Sequence, residues 1–377
     1  MPLSVFLIPD RFAHYRFPLF TELSAIQDLD MTILTDSKSD IPGLKIVDPA
    51  LCDLDIQNGG VKWVPVGNIV FRGRCVWQKG LLSKILRSNA DVFIFWGEVH
   101  RITTWLAVCL CKIKRKQTVL WTHGLYGRES FWKRKLRVTF YKLADALLTY
   151  NQRGKDLLIA QGMSPDGIFV IHNSLGDPNK LCPLPPDKHI NNKIVFSGRL
   201  TERKRIDMLI QAIAKLHTEG HETQCSIIGD GSARDRLQHM ASTLKVNHLV
   251  TFHGACYDEP EIAQLFLQAD LCVSPGEVGL TAIHAMSYGI PVLTHDNFDF
   301  QMPEFESIIP GKTGGFFKHN DLEDLVSKIQ CALISRKHGE MNPEVIRKHV
   351  ANHWSTTYQV EVFKKMMRFV SDFTPNP

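Results

Sequence analysis

No uncharged apolar run of about 18 residues occurs in the 377-residue sequence, so no transmembrane helix is expected. Nine cysteines sit at irregular spacings, an odd number without a framework pattern. That excludes a disulfide scaffold and fits a reducing compartment, with thiols used as small buried residues. Cys109 and Cys111 lack zinc-ligand partners at usable spacing, and no metal is expected. The opening MPLSVFLIPDRF has no basic region, and Pro9, Asp10 and Arg11 break its apolar run. It reads as a buried first strand instead of a signal peptide. A net charge of +5 is mild, so the distribution of charge matters more than its total. Gly229-Asp230-Gly231 is not a dinucleotide fingerprint, because Arg234 stands where a third glycine is needed. The expected location is cytoplasmic.

What is present is alternation. Short apolar runs alternate with helical patterns nearly throughout, which predicts a doubly wound α/β protein. Strands are expected at Val5–Ile8, Met31–Thr35, Asp91–Trp96, Gln117–Trp121 and Ala146–Thr149 in the first half. In the second half they are expected at Lys193–Phe196, Gln224–Ile228, Leu249–Phe252, Leu271–Val273 and Pro291–Leu293. Residues 173–192, rich in Pro, Asn and Asp, read as a linker. The expected division is therefore 1–181, 182–350 and a terminal helix over 351–377. That helix is either a plain packing helix or a strap returning to the first domain.

Residues 272–292, CVSPGEVGLTAIHAMSYGIPV, organise the second half. They read as strand end, tight turn, helix from about Gly279 to Tyr288, stop at Gly289 and a new strand at Pro291. The free N–H groups of Gly279, Leu280 and Thr281 would favour an anion such as a phosphate. The alternative is an ordinary crossover with no ligand. Arg199 and Lys204 sit in the loop after another strand, just ahead of a helix beginning near Ile206. From there they reach the carboxyl edge of the sheet, where open α/β sheets hold ligands.

The order of motifs then becomes specific. IVFSGRLTERKRIDMLIQAI, SIIGDG, the 251–293 segment and PEFESIIPGKTGGFF follow one another across residues 193–320. Together they resemble the C-terminal half of family 4 glycosyltransferases, retaining enzymes of the GT-B fold. The resemblance implies two Rossmann-like domains facing across a cleft, with a nucleotide-sugar donor on the second and an acceptor on the first. Arg199 and Lys204 would hold the donor diphosphate with the amides of Gly279, Leu280 and Thr281, and Gly198 would let the backbone approach. Without a metal, such a site must neutralise the leaving phosphates with cations and helix N-termini. Arg203 and Arg205 read as solvated surface charges. Gly229 and Gly254 would lie beside the nucleoside; a strand-exit turn explains Gly229 as well. The donor is a co-substrate, and no cofactor is implied.

Two positions depart from the family pattern. The glutamate that usually holds the ribose is His284, and the glutamate eight residues before it is Gly276, with Glu277 one place on. His284 either contacts ribose, with one hydrogen bond where a carboxylate would make two, or is satisfied by backbone. Glu277 either contacts the donor sugar or caps the helix dipole. His123 either hydrogen-bonds the donor sugar or is structural. Arg11, His14 and Arg16 either bind an acceptor phosphate or cap the next helix. Asp53-Leu54-Asp55 resembles a metal-binding pair, but two acids at this spacing are common by chance.

Residues 112–142 hold ten basic residues against one acid, Glu129, with aromatics interleaved. This predicts an anionic membrane surface, at the inner face of the cell membrane, where a lipid-linked acceptor would be met. No nucleic-acid-binding module accompanies the charge, and the alternative is a solvated helix face. The expected activity is metal-independent, retaining transfer of a sugar to a lipid-linked glycan in surface polysaccharide (lipopolysaccharide-type) assembly. The alternatives are a nucleotide-sugar epimerase and a non-catalytic nucleotide-binding protein.

Overall fold

A computed structural model describes residues 2–38, 45–52, 60–71, 75–185 and 190–372. The pair Asp53 and Asp55 lies outside the described residues. The chain divides into two compact units, Met1–His172 with Thr356–Pro377, and Asn173–Ser355.

The first unit is built on parallel strands β1 (Leu3–Ile8), β2 (Leu29–Thr35) and β3 (Trp63–Pro65), a hairpin of β4 (Asn68–Phe71) and β5 (Cys75–Gln78), then β6 (Val92–Trp96), β7 (Gln117–Thr122), β8 (Ala146–Thr149) and β9 (Ile168–Val170). Its main sheet runs β3-β2-β1-β6-β7-β8-β9, every pair parallel. The helices are α1 (Phe17–Ser24), α2 (Pro49–Cys52), α3 (Leu81–Arg87), α4 (Ile102–Ile113), α5 (Phe131–Tyr141) and α6 (Gln152–Ile159). Period-two alternation sends Val92, Ile94 and Trp96 to one core and Phe93 and Phe95 to the other. A strand buried on both faces therefore reads as a continuous apolar run.

The second unit has β10 (Lys193–Ser197), β11 (Gln224–Ile228), β12 (Val250–Gly254), β13 (Leu271–Ser274), β14 (Val292–His295) and β15 (Gly314–Phe317). Its sheet order is β12-β11-β10-β13-β14-β15, again all parallel. The helices are α7 (Ile206–Thr218), α8 (Arg234–Thr243), α9 (Glu259–Gln268), α10 (Leu280–Ser287), α11 (Leu322–Lys337) and α12 (Pro343–His353). In each sheet the chain winds outward from one strand and then reverses beside it. The reversal falls between β1 and β6 in the first unit and between β10 and β13 in the second. Loops leaving those strands splay apart there and leave room for a ligand at the carboxyl edge.

Composition places the boundary near residue 182, whereas the structure divides the chain between His172 and Asn173. The Pro/Asn-rich stretch is anchored to the second unit: Asn173 Nδ2 donates to the buried Glu304 at 2.9 Å, and Leu181 packs on an apolar cluster of that unit. The terminal helix expected from the sequence is present and starts a few residues later. After α12, the chain turns at Trp354-Ser355 and forms α13 (Thr356–Asp372), which belongs to the first unit. Phe363, Met366, Met367 and Val370 are buried there with Val5, Leu7 and Val92. Thr356 Oγ1 bonds Glu22 at 2.8 Å and Gln359 Nε2 bonds the His172 carbonyl at 3.1 Å. This is the strap alternative of the sequence reading. No helix of the described residues is long and apolar enough to cross a membrane. Phe363→Ala should destabilise the first unit by about 3–5 kcal/mol, read as a lowered denaturation midpoint; an unchanged midpoint would show that α13 is dispensable to this core.

Candidate functional site

In the second unit, backbone meets backbone where the strands end. The Gly198 N–H donates to the Ile228 carbonyl at 2.9 Å, and the Gly229 N–H to the Gly254 carbonyl at 2.7 Å. A Cβ on Gly229 would lie 1.9 Å from the Gly198 carbonyl oxygen, and its φ of +142° also favours glycine. The three glycines singled out from sequence thus close the exits of β10, β11 and β12 into one rim.

On the other side of the reversal, the turn after β13 is zipped to the loop after β10. The Gly276 N–H donates to the Lys204 carbonyl at 3.0 Å and the Glu277 N–H to the Arg203 carbonyl at 3.3 Å. A Cβ at Gly276 would lie 2.0 Å from the Arg203 carbonyl oxygen. No side chain fits at this position, which requires glycine. Gln301 supports the turn from below, accepting from the Val278 N–H at 2.7 Å and donating to Thr294 and the His295 carbonyl.

This zipper carries Lys204 to the start of α10. Its Nζ donates to the Glu277 carbonyl at 2.8 Å and lies 3.8 Å from where a Gly279 Cβ would be. Lys204 is largely buried, and burial lowers its pKa against the opposing pull of Glu277 and Glu304. Arg199 is exposed and makes no ion pair among the described residues. Gly279 caps α10 without a side-chain bond, and the Thr281 hydroxyl ties the helix to the Ser197 carbonyl. The arrangement unites an ammonium, a nearby guanidinium and a helix N-terminus, and can stabilise an anion.

Arg203 is exposed, as a surface charge, and also pairs with the Glu277 carboxylate, while Arg205 bonds Asp207 and Asn320. His284 is satisfied by a side chain, not by backbone: its Nε2 lies 2.9 Å from Glu259 Oε1, to which the Tyr288 hydroxyl also donates at 2.5 Å. Its ring packs on Phe266, 4.9 Å between centroids. Glu259 and Tyr288 were missed. The one available signal was the four-residue spacing of His284 and Tyr288, which puts them on one helix face.

In the first unit the reversal lies between Asp10, after β1, and Arg101, after β6, which pair at 3.3 Å. Arg11 is held by Asp10 at 2.8 Å, and His14 is exposed. No side chain caps α1, so the capping alternative fails for all three. Arg16 is buried, 8% exposed, inside aromatic walls: Trp96, Trp121, Tyr15 and Tyr150 lie 4.9–5.7 Å from its guanidinium carbon. Its Nη2 donates to Tyr150 at 2.8 Å. His123 packs on the same Tyr150 at 4.6 Å. Arg16 Nη1 and His123 Nδ1 are buried without a hydrogen-bond partner among the described residues.

Residues 186–365 match the family model for glycosyl transferases group 1. The match covers 180 of the 377 residues, just under half of the chain. The chain is 28% identical over 192 residues to a lipopolysaccharide 1,6-galactosyltransferase of Salmonella typhimurium, covering 49% of this chain and 52% of that protein. It is 37% identical over 103 residues to an uncharacterized glycosyltransferase of Methanocaldococcus jannaschii, 26% of each chain. The chain thus spans about half the length, or less, of these curated relatives. Anabaena Alr3699/HepE, solved in complex with UDP, superposes with a TM-score of 0.73 at 15% identity, over 97% of this chain and 100% of that one. The fold is GT-B, with two Rossmann-like units.

Burial, then the charges of Arg16 and Arg137, push the His123 pKa from 6.5 down to about 4. The unfolded chain takes up that proton near pH 6.5 and the folded chain only near 4, so stability falls as pH drops through this window. His123→Asn should flatten the decline in melting temperature; an undiminished slope would refute a buried neutral ring.

Proposed function

We propose that the chain is a retaining glycosyltransferase that moves a sugar from a nucleotide-sugar donor to a hydroxyl of a lipid-linked glycan, without a metal. The observation that carries this reading is the meeting of Lys204, Arg199 and the α10 N-terminus at the reversal of a glycosyl transferases group 1 domain. Breaking a sugar–phosphate bond leaves extra charge on the diphosphate, and fixed cations and amides stabilise it without reorganising. Lys204 and the amides of Gly279, Leu280 and Thr281 hold the diphosphate, and Arg199 closes over it. Gly198 gives the backbone its close approach, and Gly229 and Gly254 line the nucleoside side. The leaving phosphate itself takes the acceptor proton, so no side-chain nucleophile is required. Glu277 contacts the donor sugar, and His123 and Arg16 serve sugar binding on the first unit. The UDP of Alr3699/HepE and the lipopolysaccharide product of the Salmonella relative support this class of donor and acceptor.

The basic stretch supports a working place at an anionic membrane. Its tethered members are structural: Lys114 donates to the carbonyls of Ile85, Leu86 and Ser88 at the end of α3, and Lys116 pairs with Asp91. What remains is α5, which exposes Phe131, Trp132 and Leu136 beside Lys133 and Lys135. Apolar side chains flanked by lysines suit the boundary of headgroup and acyl chain.

Thermal unfolding with UDP, GDP, dTDP or CMP tests the donor site. A ligand at about a hundred times its Kd adds about 2.7 kcal/mol, and the shift should vanish in Arg199→Ala plus Lys204→Ala. No shift with any nucleotide would remove the donor reading. Sedimentation with anionic vesicles at low salt should carry the protein down, and Trp132→Ala plus Lys133→Glu should weaken this roughly tenfold or more; equal recovery with neutral vesicles would reject the anionic surface.

A further inference from the structure

We infer that Glu259, oriented by His284 and Tyr288, is the ribose-binding carboxylate of this chain and selects ribonucleotides over their 2′-deoxy forms. The inference rests on the donor reading above. Glu259 is the first residue of α9, five positions beyond Gly254, so it stands on the loop that leaves β12 at the ligand edge. Its two oxygens have different surroundings. Oε1 accepts from the Tyr288 hydroxyl at 2.5 Å and faces His284 Nε2 at 2.9 Å, which fills its lone pairs. Oε2 has no hydrogen-bond partner among the described residues, and the side chain is 49% exposed.

The anchoring is rigid where the carboxylate is held and open where it is not. His284 is 16% exposed, wedged between Phe266 at 4.9 Å and Tyr288 at 5.8 Å. Tyr288 stacks on Phe266 at 5.6 Å. Burial would raise the Glu259 pKa, but the bonds from His284 and Tyr288 outweigh it and hold the pKa below the ordinary value. The group is therefore an ionised, pre-oriented acceptor with two lone pairs unused. A vicinal diol supplies two O–H donors at matching spacing, and a carboxylate accepts both where imidazole could accept only one. A neutral phosphate-binding loop would have no use for such a group, and a second phosphate would be repelled by it.

Isothermal titration of UDP and GDP against their 2′-deoxy counterparts tests the assignment on the full chain. The wild type should favour the ribonucleotide by about tenfold or more, because the deoxy ligand leaves a fixed acceptor unpaired. Glu259→Gln should bring the ratio close to one while inorganic pyrophosphate binds as before. Tyr288→Phe, which frees Oε1 of one bond, should lower the ratio in part. A Glu259→Gln protein that keeps the wild-type ratio would overturn the inference and leave the donor reading standing. Parallel loss of pyrophosphate affinity would also overturn it, as the mark of a general collapse. Failure of the wild type to bind any of the four nucleotides would remove the donor reading and the inference with it.

Discussion

A side chain on Gly276 would press into the Arg203 carbonyl, and one on Gly229 would press into that of Gly198. Backbone contact at these two points lets the loops after β10, β11 and β13 share one edge. The loops then hold each other by N–H to carbonyl bonds instead of by side chains. Side chains at that edge are consequently left for a ligand. Lys204 is delivered to the helix start by the same zipper, where its ammonium donates to the Glu277 carbonyl.

The two units solve the same topological problem with different materials. Each reverses its winding beside its first strand, and each puts cations there. The second unit uses a lysine, an arginine and a helix N-terminus, all suited to a multiply charged anion. The first unit sinks Arg16 among four aromatic rings beside a neutral His123. Stacking of this kind offsets part of the desolvation of a guanidinium, yet leaves one of its nitrogens unbonded.

In the family pattern that the sequence resembles, the position of His284 usually holds a glutamate. In the structure a carboxylate stands beside it, that of Glu259 at the start of α9. Tyr288, one turn after His284, completes the support.

Fold class, the strands buried on both faces and the two cations of the second unit follow from the sequence by itself. Each depends on residues close together in the chain: apolar runs of strand length, a helix start after a strand, a basic loop before a helix. The short strands β3, β9 and β15 carry too few residues to show a period. Only the tertiary structure decided that Gly276 is a contact point, that Arg16 is caged, that Arg203 holds Glu277 and that Glu259 meets His284. These partners stand 25 to 134 residues apart in the cases of Glu259–His284 and Arg16–Tyr150, so no local pattern encodes them. An acid in the first turn of a helix is ordinary on dipole grounds, and Glu259 differs from any other such acid only through the residues that sheet order brings to it.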